Sequence, residues 1–146
     1  MDTNEHEKIL HKELSYKIIG IVMEVHNTLG AGFLEKVYEN AVIIKLNKNG
    51  IKAVQQAPLK VHFEGEIVGE YFADILVKEK MESRIDTNEH EEIVYEDKII
   101  LEMKCVEKIT DIHRAQVINY LKATGLKLGI IINFAKPKLE YERIVL

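Results

Sequence analysis

Apolar side chains recur at helical spacing along the first third of the chain. In residues 10–29 they stand three or four positions apart, as expected for one face of a helix. These positions are Leu10, Leu14, Ile18, Ile21, Val22, Val25 and Leu29. A second stripe of the same kind follows over residues 33–47, at Leu34, Val37, Tyr38, Ala41, Val42 and Leu46. The pattern therefore predicts two helices, separated by the glycine-rich residues 30–32.

From residue 51 onward the period of the pattern changes to two. Apolar residues alternate with polar ones up to Phe63, and Gly65 then marks a turn before a partner strand over residues 67–77. This alternation predicts a pair of strands joined by a tight turn. In the second strand it places four side chains on one face, namely Tyr71, Ala73, Ile75 and Val77.

The sequence pattern in the last third of the chain predicts strands before and after one helix. Residues 98–106 read as a strand, and a helix begins at Thr110 or Asp111. The uniformly apolar residues 128–134 are typical of a strand buried on both faces, and the tail from residue 141 fits one more. The order α-α-β-β-β-α-β-(β) predicts an α/β fold with a central mixed sheet flanked by helices.

A charged segment interrupts this order. Residues 86–93 repeat residues 2–9 with one difference, Glu92 in place of Lys8. Neither copy has an apolar face, so we expect both outside the core, and adjacent residues such as those at 89–91 rarely converge on one metal ion. The sequence predicts a single domain over residues 1–146, with a charged surface insertion at about 78–97.

Composition narrows the class of protein. The chain has 146 residues, of which 47% are hydrophobic and 30% charged, as in folded globular proteins. One cysteine cannot form an internal disulfide, and no apolar run approaches the roughly 20 residues of a membrane helix. With a polar start unlike a signal peptide, we expect a cytoplasmic protein without a membrane partner.

The net charge and the local distribution of charge indicate which class of partner the protein binds. A net charge of −4 argues against coating nucleic acid through bulk charge, but residues 104–127 hold five basic side chains against two acidic ones. Such a local basic face would suit a phosphodiester substrate.

Three charged residues stand in otherwise apolar strands. They are Asp74, Glu102 and Lys104, and a period of two puts the last two on one face of their strand. Charges beside apolar neighbours are costly unless they are paired or bind a metal. One interpretation is a salt bridge at a sheet edge. The other is a site for Mg²⁺ or Mn²⁺, which prefer carboxylate oxygens and keep several waters, with the lysine holding water or phosphate.

Asp74, Glu102 and Lys104 belong to a series of five motifs along the chain. The motifs are Gly-x-x-Glu-x-x-Tyr at 32–38, Tyr-Phe-Ala-Asp at 71–74, Leu-Glu-Met-Lys at 101–104, and the segments 113–121 and 129–134. With these motifs the sequence resembles the GxxExxY protein family, a branch of the PD-(D/E)xK nuclease-like superfamily, from about residue 12 to the C-terminus. It departs from the superfamily pattern at Ala73, where a proline is usual.

The resemblance implies a restriction-endonuclease-like core and a metal-dependent nuclease. It implies catalytic roles for Glu35, Asp74, Glu102, Lys104, Gln116 and Tyr120. Mg²⁺ or Mn²⁺ would be held by Asp74 and Glu102, with Glu35 and the Met103 carbonyl as further ligands. Glu39 lies one turn after Glu35 on the same helix face, so either glutamate could instead be a solvated side chain. A hydrogen bond between Gln116 and Tyr120 within a packed helix is the structural alternative for that pair.

The expected partner is nucleic acid, with DNA as the expected substrate and RNA as an alternative substrate for the same site. Basic or helix-terminal side chains suited to contact phosphates are His113, Arg114, Lys108 and Lys122. The alternative function is a non-catalytic module, for nucleic-acid binding or protein assembly, that retains the nuclease fold. The sequence leaves homo-oligomerisation open.

Overall fold

The computed structural model describes residues 11–81, 84–85 and 91–146. Its helices are α1 (Lys12–Leu29), α2 (Glu35–Lys48) and α3 (Asp111–Thr124). Its strands are β1 (Ala53–Phe63), β2 (Glu66–Lys80), β3 (Arg84–Ile85), β4 (Glu91–Glu92), β5 (Tyr95–Lys104), β6 (Leu128–Asn133) and β7 (Glu140–Val145). None of the helices in these ranges is long and apolar enough to cross a membrane.

Five of the strands form one mixed sheet in the order β1-β2-β5-β6-β7. The β5–β6 pair is parallel and is connected through α3, whereas the other neighbouring pairs are antiparallel. Strands β3 and β4 pair with each other in a separate two-stranded sheet. The α/β fold with a central mixed sheet flanked by helices, predicted from the sequence, is confirmed.

Each face of the sheet carries its own core. Helices α1 and α2 cover one face, where the side chains of Ile18, Val22, Tyr38, Val42, Leu46, Ile75, Val77, Leu101, Met103, Ile130 and Ile132 pack together. Helix α3 covers the other face, with Ala57, Leu59, Ala73, Leu76, Ile100, Val117, Tyr120, Leu121, Ile131 and Ile144. Strand β6 is buried along its whole length because it lies between the two cores, which explains its uniformly apolar sequence.

The buried stripe of α2 differs from the predicted one. Tyr38, Val42 and Leu46 are buried at intervals of four, but Leu34 and Val37 are exposed. Leu34 stands at the N-cap, ahead of the first turn, and Val37 lies about 100° around the helix from Tyr38. The polar residue Glu39, which the pattern did not include, is buried.

The facing of β2 also differs from the prediction. Ile75 and Val77 do face α1 and α2, but Ala73 belongs to the core under α3, and the Tyr71 ring contacts α3. The change of face coincides with Gln56 on β1, which has a φ of +52° between two regular pairs of the β1–β2 ladder. A left-handed residue alters the pleat, so strict alternation fails there.

The strands reach further than expected into the charged region of about 78–97. Lys78 pairs with Asp97 and Lys80 with Tyr95, so β2 and β5 continue beyond the sheet's core. Residues 2–9 and residues 86–90 of the repeated segment lie outside the described residues.

Candidate active site

The candidate site lies where β2 and β5 part. Their antiparallel pairing ends at Ile75 opposite Leu101, so the next residues toward the opening are Asp74 and Glu102. The main-chain amide of Asp74 donates to Glu102 Oε1 at 3.0 Å. In return, the amide of Met103 donates to Asp74 Oδ2 at 2.8 Å. Each carboxylate thus satisfies a main-chain donor of the opposite strand at the point where the ladder stops.

The two carboxyl groups are electrostatically strained. Glu102 is only 3% exposed, and this burial, together with the neighbouring charge of Asp74, raises its pKa to about 8. The pKa of Asp74 is raised mainly by burial and also by the charge of Glu39, while the hydrogen bond from the Met103 amide opposes the rise. Burial and neighbouring carboxylates therefore disfavour the ionised form of both groups.

Lys104 lies beside the carboxylates without pairing to them. Its Nζ donates to Gln116 Oε1 at 3.1 Å, and Gln116 Nε2 donates to the Tyr120 hydroxyl at 3.1 Å. Its positive charge lowers the pKa of both carboxyl groups. Among the ion pairs of the described residues, however, none joins Lys104 to Asp74 or Glu102. The direct salt bridge considered as the structural alternative does not form.

The hydrogen bond between Gln116 and Tyr120 connects α3 to the site. Tyr120 is 6% exposed, and burial and the charges of Glu102 and Asp74 raise the pKa of its hydroxyl. Of the residues expected in the site, the structure thus brings together Asp74, Glu102, Lys104, Gln116 and Tyr120. The Met103 side chain packs in the core beneath α1 and α2, so only its main chain faces the site.

Glu39 on α2 is a site residue that the sequence interpretation did not select. It is 4% exposed and accepts hydrogen bonds from Lys36 Nζ at 2.7 Å, from Gln56 Nε2 at 2.7 Å and from Gln55 Nε2. Gln56 Nε2 also lies 3.4 Å from Asp74 Oδ1. Gln56 therefore connects Glu39 to Asp74. The sequence signal for this link is the pair of glutamines in β1, whose amide groups can join two carboxylates.

Glu35, the expected helix glutamate, lies elsewhere. It is exposed, and its Oε1 accepts from the Cys105 amide at 3.2 Å, just beyond the end of β5. Its charge contributes to the raised pKa of the Cys105 thiol, after burial, but is not among the causes of the Asp74 and Glu102 shifts.

Tyr38, the tyrosine of the same motif, fixes the start of α2. Its hydroxyl donates to the Gly30 carbonyl at 2.6 Å and accepts from the Phe33 amide at 3.2 Å, and its ring stacks on Phe134. Because these bonds close the loop before α2, they determine where the first turn of that helix lies relative to β5. The tyrosine thus has a structural role, as a core residue with a satisfied hydroxyl.

The donor set fits a hard divalent cation. Asp74 and Glu102 supply carboxylate oxygens, and Mg²⁺ is usually bound through one or two carboxylates while it keeps several waters. Across residues 11–81, 84–85 and 91–146, no group of three or more His, Cys, Asp or Glu side chains is arranged to hold a metal ion. The arrangement therefore matches a two-carboxylate site completed by water or substrate, rather than a closed cage of protein ligands.

The four expected phosphate contacts do not form one surface. His113 Nδ1 accepts from the Thr110 amide at 3.0 Å as part of the α3 capping box. Arg114 pairs with Asp111 and Glu142, and it lines a cavity of about 820 Å³ together with Lys108. Lys122 lies in a different groove, between α3 and the β1–β2 hairpin.

Comparisons with known proteins concern the fold and the family of the chain. A search of curated proteins finds no match. Among solved structures, one titled "Crystal structure of SSO0001" superposes with a TM-score of 0.54 at 14% identity, which supports the fold alone. The superposition covers 95% of this chain and 62% of that one, so the chain spans less than two thirds of the length of its structural neighbour.

A family model described as the PD-(D/E)XK nuclease superfamily matches residues 12–82 and 81–144. The superfamily expected from the motifs is thus confirmed, and assignment to its GxxExxY branch stays a prediction. Nucleases of this superfamily generally use divalent metal ions. The chain belongs to the PD-(D/E)XK nuclease superfamily.

Proposed function

We propose that this protein is a nuclease that hydrolyses phosphodiester bonds of DNA with Mg²⁺ or Mn²⁺ as cofactor. The observation that carries the proposal is the pair formed by half-buried Asp74 and buried Glu102 where β2 and β5 part, with Lys104 beside them and in no ion pair with either. Two adjacent carboxylates with raised pKa values are an unfavourable arrangement for stability alone. A bound cation offsets their repulsion, which gives the arrangement a physical reason.

Asp74 and Glu102 are the residues that would hold the cation, with the Met103 carbonyl as a main-chain candidate. The cation would supply Lewis-acid activation of water and neutralise charge on the phosphate. The Glu102 carboxylate accepts from the Asp74 amide, and the Asp74 carboxylate accepts from the Met103 amide, each on the opposite strand. Their separation is therefore set by the backbone rather than by free rotamers. Such preorganisation is what an electrostatic site needs.

Lys104 is the residue that would act on the reacting phosphate. Gln116 accepts from its ammonium group and so directs it away from a contact ion pair with the carboxylates. A lysine in that position orients the attacking water or stabilises the charge that develops on the phosphate as the new P–O bond forms and the ester P–O bond breaks. Tyr120 and Gln116 form the wall of the site on the α3 side.

Glu39 has a supporting role in this proposal. It anchors Gln56, and Gln56 reaches Asp74, so the orientation of the Asp74 carboxylate depends on α2. Glu35 remains a candidate further ligand at the exposed end of β5, where it would act through water or substrate. The basic residues Lys108, Arg114 and Lys122, and His113, remain candidate contacts to the nucleic acid at a distance from the carboxylates.

A cleavage assay tests the proposal. Linear duplex, circular and single-stranded DNA and an RNA strand are each incubated with the protein in Mg²⁺, in Mn²⁺ and in EDTA. We expect cleavage of DNA with metal and none in EDTA, and loss of cleavage in Asp74→Asn and Glu102→Gln. A wild-type protein that binds these substrates but cleaves none of them would support the non-catalytic module instead, and cleavage of RNA alone would move the substrate from DNA to RNA.

A further inference from the structure

A groove of about 470 Å³ runs between α3 and the hairpin formed by β1 and β2. It is lined by Val61, His62, Tyr71, Asn119, Lys122 and Ala123. None of these six described residues carries a carboxylate, although the chain as a whole has a net charge of −4. The cavity beside β7, by contrast, has as many glutamates as basic residues in its lining, and its Arg114 and Lys136 are already paired with Glu142 and Glu140. The groove is therefore the better match for an anionic ligand.

The groove begins one side chain away from the candidate active site. The Tyr71 ring lies 5.7 Å from the ring of Tyr120, centroid to centroid. Tyr120 in turn is hydrogen-bonded to Gln116, which holds Lys104. Along α3, the step from Gln116 to Ala123 is about 10 Å at 1.5 Å per residue. A chain that leaves the carboxylates along α3 would thus enter the groove within one or two nucleotides.

We propose that this groove binds a nucleotide of the cleaved strand, adjacent to the scissile phosphate, with its base against Tyr71 and its phosphate at Lys122. The inference rests on the proposed nuclease function and specifies whether the substrate is single-stranded or duplex next to the cleaved bond. Tyr71 is 52% exposed although it is aromatic, so much of its ring is open to a ligand. Lys122 is exposed at the groove and forms no ion pair within the described part of the chain.

The other lining residues suit the same ligand. Asn119 offers both an amide donor and an acceptor, which is what a base edge requires, and His62 adds a ring nitrogen. Val61 and Ala123 supply apolar walls for the base and sugar. The volume lies within the range of small-ligand sites, about 300–1,000 Å³, so it fits one or two nucleotides.

An aromatic ring at this position selects for an unpaired base. In a duplex the ring faces of the bases are covered by stacking, and only the base edges are accessible in the grooves. Stacking on a tyrosine therefore requires a single strand or a nucleotide turned out of the helix. The substrate inferred for this groove is a single-stranded or frayed end next to the site of cleavage.

Binding of a labelled single-stranded DNA oligonucleotide in EDTA, where no metal is present for cleavage, tests the inference. Base–aromatic stacking is worth about 1–3 kcal/mol per base, so Tyr71→Ala should weaken binding about 5- to 150-fold. Tyr71→Phe, which keeps the ring, should bind within about twofold of the wild type. Lys122→Ala should lower the slope of log affinity against log salt by about 0.7, the value for one phosphate contact on a single strand.

Two variants outside the groove serve as matched controls. Tyr16 and Lys17 are an exposed tyrosine and an exposed lysine on α1, which covers the face of the sheet opposite α3. Tyr16→Ala and Lys17→Ala should leave the affinity for the oligonucleotide unchanged. A blunt duplex of the same sequence should respond less to Tyr71→Ala than the single strand does.

The outcomes separate this inference from the proposed function. If the protein cleaves DNA but Tyr71→Ala and Lys122→Ala bind the single strand as the wild type does, the groove assignment is overturned and the nuclease proposal stands. If the protein cleaves nothing but those variants lose affinity, the groove is a nucleic-acid site on a non-catalytic protein. Failure of the wild type to bind the single strand, or an equal loss in the control variants, also overturns the inference.

Discussion

The amide of Asp74 donates to the carboxylate of Glu102, so the first acidic residue of the site holds the second in place. The bond exists because β2 and β5 stop pairing one residue earlier, at Ile75 and Leu101. A main-chain donor released from the ladder needs a new acceptor, and a carboxylate at that position provides it. The opening of the sheet and the pairing of the acidic residues are therefore a single structural feature.

Divalent metal should stabilise the folded protein through this pair. Ligands that bind only the folded state stabilise it by mass action, by about 2.7 kcal/mol at a free concentration one hundred times Kd. Mg²⁺ or Mn²⁺ at millimolar concentration should therefore raise Tm, as measured by differential scanning calorimetry. Asp74→Asn and Glu102→Gln should abolish the increase, whereas Glu24→Gln, which alters an exposed carboxylate of α1, should retain it. An equal increase in all three variants would place the metal elsewhere.

Without metal, stability should fall as the pH rises. The pKa of Glu102 is about 8 in the fold against an ordinary value of 4.5, so between these values the folded state binds more protons than the unfolded state. Stability then decreases with increasing pH across that window, by the linkage relation. In EDTA we expect Tm to drop by several degrees between pH 5 and pH 8, since about 1 kcal/mol corresponds to a few degrees in a domain of this size. Glu102→Gln should flatten this dependence, and a steeper fall in that variant would contradict the assignment.

The sequence predicted the sheet and the acidic pair for a simple reason. Charged residues in apolar strands are costly, so Asp74, Glu102 and Lys104 stand out in the pattern without knowledge of the fold. The uniformly apolar sequence of β6 likewise predicted a strand buried on both faces, and β6 does lie between the two cores. Local periodicity and burial cost are properties of short segments, and a single sequence carries them.

What the sequence did not predict depends on contacts between distant segments. Glu39 is linked to Asp74 by Gln56, and the change of face at Tyr71 and Ala73 coincides with the left-handed backbone of Gln56 on the neighbouring strand. Helical spacing gave Glu35 and Glu39 equal standing, because residues four apart share a face. The packing of α2 on the sheet determines which of the two glutamates is buried near Asp74. The sequence of α2 alone does not determine that packing.

Glu39→Gln tests whether this glutamate positions Asp74. The change keeps the shape but removes a charge that raises the pKa of Asp74. The acidic limb of the pH–rate profile should therefore move to lower pH, and kcat should fall about tenfold or more as Gln56 loses its charged acceptor. A purely structural role would lower Tm without moving the pH profile. Glu35→Gln is the matched comparison, and a larger shift in that variant would assign the role to Glu35.

Gly129→Ala should destabilise the protein by bringing β6 and α3 into conflict. A Cβ at this position would lie 2.5 Å from Val117 Cγ1, and a β-branched side chain has little freedom to move away. Overpacking of this kind costs about 1–3 kcal/mol, which urea denaturation would measure. Val117→Ala in the same chain should recover part of the loss. Gly20→Ala, in α1 with no atom within 4 Å of the new Cβ, should instead stabilise by about 0.5–1 kcal/mol.

Variants of Lys104 distinguish a catalytic role of this lysine from a structural role as a counter-charge. Removing the partner of a buried ion pair costs about 3–5 kcal/mol, so a lysine that served only as a counter-charge would be needed for folding. Its bond to Gln116, and the lack of an ion pair with Asp74 or Glu102 in the described structure, predict otherwise. In Mg²⁺, Lys104→Ala and the closer isostere Lys104→Met should melt within a few degrees of the wild type and bind the single-stranded oligonucleotide with similar affinity.

Cleavage by the same two variants should fall on the order of 100-fold or more, as expected when a charge aimed at the reacting phosphate is removed. Gln116→Ala, which leaves the ammonium group but removes its acceptor, should give a smaller loss. Melting temperature, oligonucleotide affinity and cleavage rate measured on each variant separate the two roles. A large drop in Tm with metal present would make Lys104 a structural counter-charge, and cleavage at the wild-type rate would remove it from the reaction.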